Sequence, residues 1–96
     1  MSPINKIKLN ILRKKLDKID TKLLVLISER SDMVKKVLSL KLYKKEIIDK
    51  KRISVVLKKI RKESLKKNID PKITRRIWKN MIWSYIDFEK RNFKKK

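Results

Sequence analysis

The chain has 96 residues, enough for one domain with a modest core. It contains no cysteine, histidine or glycine, which excludes disulfides, thiol nucleophiles, His-based triads and Gly-rich phosphate loops and removes the usual zinc ligands. Its 31 Lys+Arg against 10 Asp+Glu give a net charge of +21, which fits either an anionic partner or simply a lysine-rich solvated surface.

The absence of glycine and the presence of only two prolines, Pro3 and Pro71, argue against tight hairpins and an all-β fold. An apolar stripe of Leu9, Leu12, Leu16, Ile19, Leu23, Leu26, Val34 and Val37 recurs at steps of three and four. It predicts a first helix from about Asn5 to about Tyr43, close to about 60 Å long at 1.5 Å per residue. That exceeds the width of a domain this size, so much of the helix must pack on something outside its own hairpin. A short polar connection at Tyr43–Glu46 leads to a second predicted helix, 47–67, carrying Ile48, Val55, Val56, Leu57, Ile60 and Leu65. Asn68-Ile69-Asp70-Pro71 is a stop and restart, with Asp70 as cap and Pro71 at the first helical position. The third helix, 71–92, carries Ile73, Ile77, Trp78, Met81, Ile82, Tyr85 and Ile86. The Lys94–Lys96 tail is expected to fray. No apolar run approaches the roughly 20 residues of a membrane span. The opening six residues lack the apolar core of a signal peptide, and the expectation is a cytoplasmic protein.

Charges that interrupt the apolar stripes carry the functional signal. Arg30 lies four residues after Leu26, and Lys41 four after Val37. Arg13 precedes Leu16 by three, Arg52 follows Ile48 by four, and Glu89 follows Tyr85 by four. Each alone could snorkel to solvent or pair internally with an acid. Together, four cations and one acid on the core-facing stripes of three helices would form a pocket for a small anion. Arginine forks would grip carboxylates, and a lysine would supply a point charge.

These residues resemble a known family, the all-helical chorismate mutases, which include the isochorismate-pyruvate lyases. Leu12-Arg13-Lys14-Lys15-Leu16-Asp17-Lys18-Ile19-Asp20 through Leu23-Leu24 to Arg30 is similar to the family's opening block. Asp49-Lys50-Lys51-Arg52 resembles its second block, and Arg76-Ile77-Trp78 through Glu89 its last helix. The resemblance extends from about Leu9 to Phe93. It implies an intertwined three-helix homodimer whose sites are each completed by Arg13 of the second copy. It also implies that Arg13 and Arg30 bind two carboxylates, and that Lys41 and Glu89 sit at the breaking ether oxygen. Asp49 and Arg52 would bind the ring-hydroxyl side and order the second helix, and Tyr85 would line the pocket. Ile53 follows Arg52 where many mutases carry glutamate and the lyases an aliphatic residue, whereas Asp49 and Glu89 look like a mutase.

The rearrangement of chorismate to prephenate is intramolecular and needs no nucleophile, metal or cofactor. It asks for a cavity that holds the reactive conformer and stabilises charge on the ether oxygen. The lyase reaction is the alternative. A nucleic-acid-binding helical bundle would use the +21 charge directly but needs no cations on an apolar stripe. A coiled-coil module would explain the long helix, yet Arg30 breaks the seam it requires. The expectation is therefore a small dicarboxylate ligand, with no nucleic acid or membrane partner.

Overall fold

Two Xaa-Pro pairs start two of the three helices in the computed structural model, which describes residues 1–94. Ser2 accepts a hydrogen bond from the Asn5 amide through Oγ at 3.1 Å, and helix α1 (Pro3–Leu40) opens on Pro3. Asp70 accepts from the Lys72 amide at 2.9 Å, and α3 (Pro71–Asn92) opens on Pro71. Proline suits the first helical position because its missing N–H would have no partner there. The Ser2–Pro3 cap starts α1 two residues before the expected Asn5.

The first helix ends at Leu40 rather than Tyr43, and α2 (Lys50–Lys66) begins at Lys50 rather than Ile47. The reason is side-chain competition for backbone amides. Glu46 Oε2 accepts from the amides of Leu42 at 2.8 Å and Tyr43 at 3.4 Å, which draws them out of the helical ladder. A 3-10 turn at Lys44–Glu46 follows. Asp49 then accepts from the Arg52 amide at 3.0 Å and starts α2 as its N-cap. Lys41 thus lies just past the end of α1, on the connection and not on the helical stripe itself.

α2 stops without glycine. Asn68 adopts φ 55°, and the Ile69 and Asn68 amides return to the carbonyls of Ser64 at 2.9 Å and Leu65 at 3.3 Å. This is the two-bond C-terminal motif usually closed by glycine; asparagine is the next most tolerant residue in the left-handed region.

The chain divides into two units, Met1–Met33 and Val34–Lys96. The first is a single run of helix. No residue of α1 is buried, and Leu16, Ile19, Leu23 and Leu26 are each about half exposed. In the second unit α2 and α3 pack together. Ile47 and Ile86 are its buried apolar residues, at 3% and 6% exposure. Near the turn, the buried hydroxyls of Ser64 and Thr74 lie 2.7 Å apart. Ser64 also donates to the Ile60 carbonyl at 2.6 Å, and Thr74 lies 3.4 Å from the Pro71 carbonyl. Among the described residues there is no strand, and the architecture is all-α. Lys95 and Lys96 of the tail expected to fray lie outside the described residues.

Candidate functional site

The second unit brings Lys41 and Glu89 together. Lys41 Nζ donates to Glu89 Oε1 at 2.9 Å, joining residues 48 positions apart. Glu89 is 5% exposed and is the buried acid of α3. The Lys41 side chain retains 18% exposure. The pair differs from the ion pairs of Glu63 with Lys66 and Lys67 and of Asp87 with Arg91, which are exposed and local in sequence. Taking two charges out of water costs several kcal/mol (about that order), repaid only by close mutual contact and further hydrogen bonds. The contact is to Oε1, so the ammonium sits at one edge of the carboxylate. The result is a charged cluster with a donor and a second oxygen, suited to an electronegative atom of a small ligand.

Glu46 makes this placement possible. Its carboxylate fastens the backbone immediately after Lys41, at Leu42 and Tyr43, so the connection that carries the lysine has a defined course. In the sequence Glu46 stands out only as part of a polar connection. The signal that could have revealed its role was a carboxylate three residues after Tyr43 and four after Leu42, the reach of a backbone-capping side chain.

Tyr85 lies one turn before Glu89 on α3 and is partly buried. Asp49 and Arg52 are joined through the N-cap bond between the Asp49 carboxylate and the Arg52 amide, and both are exposed. In the first unit Arg30 is partly buried and Arg13 exposed. These two arginines are 17 residues apart on α1, about 25 Å along its axis. One small ligand cannot reach both in the same chain.

A second feature was not anticipated. An open groove of about 430 Å³ runs along α2 and α3, with Ile53, Leu57 and Trp83 among its apolar lining and Lys50, Lys58, Arg61 and Arg75 among its cations. Neither Lys41 nor Glu89 lines it.

No helix is long and apolar enough to cross a membrane among the described residues. A family model described as chorismate mutase type II matches residues 12–90. No curated protein and no solved structure matches the chain.

Proposed function

The chain belongs to the chorismate mutase type II family, and we propose that it is a chorismate mutase, rearranging chorismate to prephenate for aromatic amino acid biosynthesis in the cytoplasm. The observation that carries this reading is the Lys41–Glu89 pair, a buried acid and a largely buried lysine held at 2.9 Å. In the rearrangement an ether bond breaks as a carbon–carbon bond forms, and negative charge develops on the ether oxygen. A lysine ammonium beside that oxygen stabilises the charge. Glu89 holds that ammonium in place through the 2.9 Å ion pair, so the two residues together face the ether oxygen.

The two carboxylates of chorismate require cationic clamps, here Arg30 of one chain and Arg13 of a second. The separation of about 25 Å between them on α1 supports this division. So does the half-exposed stripe of Leu16, Ile19, Leu23 and Leu26, because a helix of this composition is stabilised mainly by burying its apolar face. A homodimer of intertwined first helices satisfies both requirements. Asp49 and Arg52 then bind the hydroxyl side of the ring from the start of α2, and Tyr85 lines the pocket beside Glu89. Rate enhancement comes from holding the reactive conformer and from preorganised charge, without cofactor or metal.

The second reading, an isochorismate-pyruvate lyase, is favoured by Ile53, a partly buried aliphatic residue directly after Arg52. Incubating the purified protein separately with chorismate and isochorismate, and identifying the products, tests both readings. Prephenate from chorismate is expected. Pyruvate and salicylate from isochorismate, with chorismate untouched, would overturn the mutase assignment.

A further inference from the structure

The groove on α2 and α3 is lined mostly by residues with no place in the proposed reaction; of them only Ile48, Lys50 and Ile53 adjoin Asp49 and Arg52. Lys50, Ile53, Leu57 or Lys58, and Arg61 recur along α2 at helical spacing, so the groove follows one face of that helix. From Lys50 to Arg61 it extends about 16 Å. Arg75 and Trp83 border it from α3, and Trp83 is half exposed. Among the described residues none of Lys50, Lys58, Arg61 and Arg75 forms an ion pair, and no acid lines the groove. The apolar floor and unpaired cationic rim therefore ask for an occupant that is apolar on one side and anionic on its flanks.

We propose that this groove docks an acidic amphipathic helix of a partner protein, about three turns long. Its open shape and length fit a helix better than a small metabolite, which a pocket normally encloses on most sides. A helix of a second copy brings no complementary charge to these four cations. Its α1 carries ten Lys+Arg against four Asp+Glu, α2 eight against one, and α3 six against two. Nucleic acid would satisfy the cations and stack a base on Trp83, but would leave Ile53 and Leu57 without an apolar partner. An acidic helix satisfies both, its leucines on the floor and its glutamates beside Lys50, Lys58, Arg61 and Arg75.

The test uses the full chain and a synthetic capped peptide with leucine at helical spacing and glutamate on both flanks. A shuffled peptide of the same composition and a single-stranded oligonucleotide of the same charge serve as comparisons. Binding is followed by tryptophan fluorescence and calorimetry at about 0.15 M salt, where the screening length is about 8 Å. The patterned peptide should bind at least about tenfold tighter than the shuffled one. Arg61→Glu with Arg75→Glu should weaken it by at least about tenfold while turnover and sedimentation mass stay unchanged. Circular dichroism checks the helix content of this variant. If the double reversal unfolds, Trp83→Ser and Arg61→Gln separately provide the same comparison. Equal binding of the shuffled peptide would reduce the groove to a charge patch and overturn the proposal. Tighter binding by the oligonucleotide, or a change of oligomeric mass in the variant, would also overturn it.

Discussion

Mixing two inactive variants tests the shared site more sharply than either variant alone. In the proposed arrangement each site takes Arg30 from one chain and Arg13 from the other, because about 25 Å of α1 separates the two within a chain. Arg13→Ala and Arg30→Ala each remove one clamp from both sites of their homodimers. Losing one preorganised charge contact at a transition state costs about 3 kcal/mol, so each parent should fall to about 1% of normal turnover or below. When equal amounts are unfolded together and refolded, random pairing of a two-fold dimer makes about half of the dimers mixed. In a mixed dimer one site has lost both arginines and the other has lost neither. Half the dimers with one intact site of two gives about a quarter of wild-type activity, some 25-fold above either parent. The assay is consumption of chorismate before and after mixing, with native mass spectrometry of differently tagged chains to count mixed dimers. Mixed dimers that stay at the parental level would refute the shared site. A site built within one chain predicts that outcome, since every subunit then carries one lesion.

Four further outcomes follow from local geometry. Lys41→Met leaves the buried Glu89 carboxylate without its cation and should lower stability by about 3 kcal/mol, read from urea midpoints; adding Glu89→Gln should restore stability but not turnover. Glu89→Ala should remove most turnover while circular dichroism shows unchanged helix content; near-normal turnover would remove Glu89 from the ether oxygen. Asn68→Val places a β-branched residue at φ 55° and should cost about 1–2 kcal/mol, whereas Asn68→Gly should be neutral or slightly stabilising in the same denaturation assay. The hydrogen bond from Lys67, then the charge of Lys66, holds the Glu63 carboxyl below its ordinary value. Its contribution is thus present at neutral pH and lost as pH falls through that lowered value, a small, salt-sensitive acid-side dependence of melting temperature that Glu63→Gln should remove.

Helix number and type were legible in the sequence because each apolar stripe keeps its period over many turns. Asp70 with Pro71 was legible for the same local reason, since a cap and an N1 proline act within one turn. Where α1 ends was not legible. Neither glycine nor proline marks Leu40, and the helix stops because Glu46 takes the amides of Leu42 and Tyr43. That contest between a side chain and the helical ladder has no signature in periodicity.

The candidate site divides along the same line. Periodicity singled out Lys41 and Glu89 as charges aligned with apolar stripes, but it set Lys41 on the stripe of α1, whereas Lys41 lies on the connection after Leu40. Their meeting at 2.9 Å across 48 residues depends on the fold of the second unit, which buries Glu89 where only a close cation compensates for lost solvation. The cationic groove escaped the sequence reading because Lys50, Lys58 and Arg61 look like ordinary solvated lysine-rich surface until Arg75 and Trp83 of α3 are set beside them. Sequence by itself determined which faces are apolar and which charges interrupt them, since both depend on near neighbours in one helix. Tertiary structure decided which of those charges meet, because that depends on how a few turn-capping bonds aim one helix against another.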